Sequence, residues 1–135
     1  MGLLAALASG LSLFSSAQAY EPAMNYTLQC MGCHTPDGAG VPGHVPSIRT
    51  TLLPFARVAA GRQFLVQVPG AAQSTLSNAE LAKLLNWMIE NLSNERGEYQ
   101  RFTEKEVAGY RTHALVEVRA TRERLLADQR PSGRQ

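Results

Sequence analysis

The sequence has little cysteine, few aromatic residues and little charge. Of its 135 residues, 2 are cysteines, 7% are aromatic and 18% are charged, with a formal net charge of +2. The two cysteines lie three residues apart, so a disulfide between them would close little chain and the pair needs another explanation. So small a net charge does not suggest a nucleic-acid-binding surface. The apolar fraction of 44% is that of a folded chain of one domain, or of one domain with an appendage.

Long apolar runs are lacking after the N-terminal segment, so the sequence predicts no transmembrane segment. Leu3 to Phe14 is apolar, and Ala17-Gln18-Ala19 has the small-x-small form of a signal-peptidase site. We therefore predict that residues 1–19 are a signal peptide and that the mature chain is exported to the periplasm. A signal peptide normally has Lys or Arg before its apolar run, and this sequence has neither there. The true start could therefore lie upstream.

Residues 20–94 are predicted to form a domain of short helices and loops. The patterns predict a helix over Pro22 to Leu28, a Gly- and Pro-rich loop over Thr35 to Pro46, and two short helices between Ile48 and Val68. Ser77 and Glu80 have capping-box spacing, and apolar residues then recur at helical intervals until Leu92. The clearest helix of the sequence is therefore expected to begin after Ser77 and to end near Leu92.

Residues 95–135 differ in composition and are predicted to form a charged helical extension. They contain nine Lys or Arg and seven Asp or Glu, against four and four in residues 20–94. Thr103 and Glu106 have the spacing of a second capping box, and Thr112 could cap a further helix that runs to Asp128. The tail from Arg130 to Gln135 is predicted to be disordered. We expect this extension to pack on the preceding domain or to dock a partner protein.

One short motif carries chemistry: Cys30-Met31-Gly32-Cys33-His34. Cys-x-x-Cys-His is the attachment signature of c-type haem. Two thiols one helical turn apart can each add to a vinyl group of haem, and the adjacent His then reaches the iron from the same side. The motif predicts one covalent haem c, with Cys30 and Cys33 as its thioether residues and His34 as the axial ligand of the iron.

Other uses of two cysteines at this spacing are a disulfide redox pair and half of a zinc site. A thioredoxin-type pair lies at a strand-to-helix turn in a βαβ pattern, and the sequence has no such pattern. A structural zinc site needs four ligands, and no second Cys pair is present. Haem attachment therefore remains the favoured interpretation.

The segment from about residue 22 to residue 94 resembles the small class I cytochromes c. Tyr26 lies four residues before Cys30, where that family has an aromatic residue, and Leu84 and Trp87 match its apolar-x-x-aromatic pair on the last helix. The resemblance implies an all-α cytochrome c-like fold around one haem, in which these two helices cross. It also implies that the carbonyl of Pro46 accepts the ring N–H of His34 and fixes the ring.

The chain departs from the family at the second axial ligand of the iron. Val68-Pro69 stands where the family has Met-Pro, and valine cannot coordinate iron. The sequence leaves the sixth position open among several residues and a site that is open or binds water. The candidates are Met88, His113, His44, Gln73, Met24 and Met31, of which Met31 is discounted because it lies between the two cysteines.

The sequence favours an electron-transfer protein and leaves two other functions open. A monohaem cytochrome would carry electrons from a dehydrogenase to a cytochrome or an oxidase and would not itself be an enzyme. An open iron would instead suit a protein that binds or senses nitric oxide, carbon monoxide or peroxide, or weak peroxidase-like activity. Catalysis at an open iron needs a distal base or a positive charge. Arg57 and Arg62 are the nearest cations in sequence, although either could bind a haem propionate or face solvent.

Overall fold

A computed structural model describes residues 19–130 of the chain. These residues contain eight α-helices and no β-strand, which confirms the predicted all-α class. The helices are α1 (Pro22–Gln29), α2 (Met31–His34), α3 (Leu52–Ala56), α4 (Ala59–Gln67), α5 (Pro69–Ala72), α6 (Asn78–Leu92), α7 (Glu104–Tyr110) and α8 (Val118–Asp128). The predicted signal peptide, apart from its last residue, and residues 131–135 of the predicted disordered tail lie outside the described residues.

Helix α6 is the central element of the structure. The Ser77 hydroxyl accepts a hydrogen bond from the Glu80 backbone N–H at 3.2 Å, and the Glu80 carboxylate accepts one from the Ser77 N–H at 2.8 Å. This reciprocal capping box confirms the predicted start of the helix, and the helix ends at Leu92 as expected. Its buried residues lie at helical spacing along one face: Leu81, Ala82, Leu84, Leu85, Asn86, Met88 and Ile89.

Helix α1 packs against α6, as the resemblance to the small class I cytochromes c predicts. The rings of Tyr26 and Trp87 lie with their centroids 5.6 Å apart and their planes tilted by 43°. Tyr26 is buried, and its hydroxyl donates to the carbonyl of Thr35 at 2.6 Å, immediately after the Cys-x-x-Cys-His motif. Burial raises the pKa of Tyr26 to about 12, so the phenol remains a donor throughout the physiological range. This contact ties the motif to the α1–α6 pair.

Helices α3 and α4 approach each other closely at Gly61. A methyl group added at Gly61 would lie 2.7 Å from the Cα atom of Phe55, and it would also overlap the Phe55 carbonyl oxygen. Phe55 is fully buried and meets Phe64 edge to face, with ring centroids 5.4 Å apart. The absence of a side chain at Gly61 therefore permits the backbone contact that joins the two helices.

We expect Gly61→Ala to destabilise the protein by about 1–3 kcal/mol, because α3 would have to shift within a packed core. The matched control is Gly109→Ala in α7, where an added methyl group meets nothing within 4 Å. Removing this glycine from a helix interior should be neutral or stabilise by about 0.5–1 kcal/mol. Urea unfolding of both variants measures the difference, and equal stability of the two would show that the α3–α4 contact is not tight.

Residues after position 94 share the hydrophobic cluster of the preceding helices. Phe102, Val107 and Leu125 are buried in the same cluster as the residues of α3, α4 and α6. Helix α7 packs on α6 and α4, and α8 packs on α4. The charged extension thus contributes to the core in addition to presenting polar residues at the surface.

Two predictions about the extension need correction. The Thr103 hydroxyl accepts from the Glu106 N–H at 3.2 Å, but the Glu106 carboxylate binds Arg62 instead of returning to Thr103, so only half of the predicted capping box forms. The last helix begins at Val118, after Glu117, and is not capped by Thr112. The Thr112 hydroxyl lies 3.0 Å from Nδ1 of the neighbouring His113 ring.

Candidate functional site

The Cys-x-x-Cys-His motif forms a short helical turn directly after α1. Cys30 is the residue between α1 and α2, and its carbonyl accepts from the backbone N–H groups of Cys33 at 3.2 Å and His34 at 3.0 Å. Residues three and four apart on a helical turn lie on the same side. The turn ends at Thr35, which has a left-handed φ of 64°. The local fold therefore presents both thiols and the imidazole to one region of the molecule.

That region is an apolar cavity of about 330 Å³. Cys30, Cys33 and His34 all border it, together with residues from α3, α4, α5, α6 and α8. Its lining contains no Asp or Glu and is formed mainly by these aliphatic and aromatic side chains: Ile48, Leu52, Phe64, Leu65, Val68, Leu76, Leu81, Leu84, Leu85, Met88 and Val118. Its volume lies within the range of about 300–1,000 Å³ that is usual for small-molecule and cofactor sites.

Burial favours the neutral form of the His34 ring at the wall of the cavity. Burial lowers the pKa of the imidazole below its ordinary value, because the charged form loses solvation. Its Nδ1 atom is buried and has no hydrogen-bond partner among the described residues. The expected bond to the Pro46 carbonyl is therefore not formed, although Pro46 also borders the cavity. Neutral imidazole is the form that coordinates metals.

The two thiols differ in exposure and are not joined by a disulfide. Cys30 is half-buried, and its burial, together with the nearby Cys33, raises the pKa of its thiol to about 11. Cys33 is exposed. Among residues 19–130, no group of three or more His, Cys, Asp or Glu side chains converges on a point where a metal ion could be held. The motif's three side chains thus border one cavity without forming a chelating cluster.

The loop after the motif folds back beneath it through a glycine that no other residue can replace without strain. Gly40 has φ +74°, and a methyl group there would lie 2.8 Å from the Pro46 carbonyl oxygen and would overlap that of Val45. The Gly40 N–H donates to the His34 carbonyl at 3.1 Å. Residues 35–46 form turns and an isolated bridge between Val41 and Val45, which agrees with the predicted loop.

Only one of the proposed sixth ligands borders the cavity. Met88 of α6 does so and is 7% exposed. Val68 and Pro69, which the sequence comparison placed at Met-Pro, also line the cavity. The other candidates are not among the lining residues: His44, His113, Gln73, Met24 and Met31. His113 is exposed, with its ring beside Thr112 and Gln67.

The two arginines named from the sequence as distal cations do not line the cavity. Arg62 is buried and binds Glu106, while Arg57 is exposed and donates to the Glu98 carbonyl at 3.1 Å. The cation that borders the cavity is Arg122 of α8, one helical turn after Val118, which also borders it. Sequence reasoning missed Arg122 because its position depends on how α8 packs against α4. No local pattern singles out Arg122 from Arg119 and Arg124 on the same helix.

Comparisons with known proteins add no relative of this chain. No protein-family model matches it, and a search of curated proteins finds no match either.

Proposed function

We propose that the chain is a monohaem c-type cytochrome whose cavity holds one covalently attached haem. The main support for the proposal is that Cys30, Cys33 and His34 all border a single apolar cavity. In this assignment the two cysteines would hold the haem through thioether bonds, and His34 would coordinate its iron. Haem supplies reversible one-electron chemistry when bound, and the protein sets its potential through ligands, burial and hydrogen bonds.

The side chains of the cavity fit haem better than the other uses of the motif. A redox-active Cys-x-x-Cys pair lowers the pKa of its nucleophilic thiol, whereas burial raises the pKa of Cys30 to about 11. A zinc site would gather several ligands around one ion, and the described residues contain no such group. Burial favours the neutral imidazole of His34 at this apolar wall, and neutral imidazole is the form that coordinates a metal-containing group.

We propose electron transfer as the biochemical role. The cavity lining is mainly apolar, while Cys33 is exposed, so one edge of an attached haem would lie near the surface. A redox partner could approach that edge, with a dehydrogenase as donor and another cytochrome or an oxidase as acceptor. In this proposal the chain is exported to the periplasm and has no catalytic residues of its own. Within residues 19–130, no helix combines the length and apolarity needed to cross a membrane.

Protein-film voltammetry of the haem-loaded protein tests this role. We expect one reversible one-electron wave and rapid reduction by a small electron donor. A high-spin spectrum together with rapid binding of carbon monoxide to the reduced protein would contradict a simple electron carrier.

The lining of the cavity also favours a second candidate, a haem protein that binds small ligands. Val68 and Pro69 border the cavity where Met-Pro would supply the sixth ligand, and the thioether among the lining residues is that of Met88, which belongs to the buried face of α6. If Met88 remains in the core, the sixth position is open to water or to a small ligand. The choice between the two functions therefore depends on Met88.

Met88→Ala separates these possibilities by a spectroscopic readout. If Met88 ligates the iron, the oxidised wild type shows a weak band near the red end of the visible spectrum, and the variant loses it and gains carbon monoxide affinity. Leu84→Ala is the matched control, because Leu84 is a buried residue on the same helix that also borders the cavity. Both variants should lose about 2–5 kcal/mol of stability, so stability alone does not distinguish them. Identical spectra of wild type and both variants would exclude Met88 as the ligand.

A further inference from the structure

We propose that Arg122 is the anion-binding residue of the cavity and that it binds a negatively charged group of whatever occupies it. The inference rests on the proposed haem function and goes beyond it, because it assigns a residue of the C-terminal extension to the site. Two sources of the anion share this chemistry: a carboxylate of haem itself, or a small anion bound at the iron.

The position of Arg122 is fixed by contacts along the extension. Leu125, one turn further along α8, is buried at 7% exposure, and α8 packs on α4. Before α8, the Leu115 N–H donates to the Gln67 carbonyl at 2.7 Å and so joins the chain to the end of α4. With α8 held on both sides, Val118 and Arg122 border the same cavity. Arg122 as a residue is half-buried.

Arg111 of the extension holds the segment between α5 and α6. The Arg111 guanidinium donates to the carbonyls of Ala72 at 2.9 Å, Ser74 at 2.5 Å and Leu76 at 2.6 Å. Ser74 and Leu76 themselves border the cavity. The extension therefore both supplies a wall of the cavity through α8 and holds the loop that forms the neighbouring wall.

Among residues 19–130, no Asp or Glu side chain forms an ion pair with Arg122. Within residues 19–130, the arginines that form ion pairs are Arg49, Arg57, Arg62 and Arg101. No Asp or Glu borders the cavity, and Arg122 is its only Lys or Arg among the lining residues. An arginine at the edge of an apolar cavity is stabilised by an anionic partner, which a guanidinium can bind through two parallel hydrogen bonds. We assign this anionic partner to the occupant of the cavity.

The test compares the haem-loaded wild type with Arg122→Gln, Arg122→Lys and the control Arg119→Gln. Arg119 lies on α8, is exposed and does not border the cavity. Three quantities are measured: the midpoint potential, the affinity of the oxidised iron for azide, and the affinity of the reduced iron for carbon monoxide. Circular dichroism confirms that each variant is folded.

If the anion is a haem carboxylate, Arg122→Gln lowers the midpoint potential below that of Arg119→Gln, because loss of a nearby positive charge disfavours the reduced form. Azide affinity then stays the same. If the anion is a ligand of the iron, azide binds roughly tenfold more weakly to Arg122→Gln, as expected for one lost charge-assisted hydrogen bond, and carbon monoxide affinity is unchanged. In both cases Arg122→Lys retains part of the effect, since it keeps the charge but not the planar donor pair.

Equal potentials and equal azide affinities in Arg122→Gln and Arg119→Gln would overturn the inference. A wild-type protein that carries no covalent haem would instead overturn the proposed function, and the inference with it. The haem content of the wild type thus separates the two failures before any variant is measured.

Discussion

Replacing both cysteines by alanine is expected to abolish covalent haem and, with it, the ordered structure. The double variant Cys30→Ala/Cys33→Ala cannot form thioether bonds, so the cavity of about 330 Å³ would lose its permanent occupant. An apolar cavity without its occupant loses the packing contacts of its lining, which destabilises the fold. Small domains are stable by only about 5–15 kcal/mol, so the haem-free chain should be largely unfolded.

Far-ultraviolet circular dichroism and denaturing gels stained for haem measure the two effects together. Gly32→Ala is the matched control inside the motif, because it keeps both thiols and an added methyl group there meets nothing within 4 Å. We expect the control to retain haem and helical structure. Native-like circular dichroism in the double variant would contradict the claim that haem is needed as core material.

Arg62→Ala is expected to destabilise the haem-loaded protein by about 3–5 kcal/mol. The Arg62 guanidinium binds both oxygens of the Glu106 carboxylate at 2.6 Å and donates to the carbonyls of Ala56 at 2.8 Å and Gln100 at 2.6 Å. The Arg62 side chain is 8% exposed and that of Glu106 is 20% exposed. Truncation would leave a mostly buried carboxylate and two carbonyls without their donor. It would also remove the guanidinium that lies 4.0 Å from the centroid of the Phe102 ring.

Arg101→Ala is the control for this prediction, because it removes an arginine that pairs with Glu90 at the surface. The side chains of that pair are 63% and 42% exposed, and exposed ion pairs contribute about 0–1 kcal/mol. Urea unfolding should therefore separate the two variants by at least about 2 kcal/mol. Equal losses in Arg62→Ala and Arg101→Ala would show that the contact between α4 and the C-terminal extension does not stabilise the fold.

The elements that were predicted correctly are those specified by local sequence. The capping box of Ser77 and Glu80 and the apolar face of α6 depend on residues within a few turns of one another. The loop over residues 35–46 follows from its glycines and prolines. These local signals also place the motif directly after a helix, which is where the structure has it.

The features that could not be predicted depend on contacts between distant parts of the chain. Arg62 pairs with Glu106, 44 residues away, and this pairing both removes Arg62 from the cavity and prevents the second capping box. Arg122 reaches the cavity because α8 packs on α4. Neither arrangement leaves a periodic pattern in the sequence. The roles of these arginines become visible only once the extension is placed on the preceding helices.

The intact mass of the protein, purified from the periplasm of a host that matures c-type cytochromes, tests the central claim most directly. We predict one species heavier than the processed polypeptide by the mass of one haem, which remains attached in denaturing solvent and is absent from Cys30→Ala/Cys33→Ala. A protein that folds with the mass of the unmodified polypeptide, with both thiols free to react, would contradict the account.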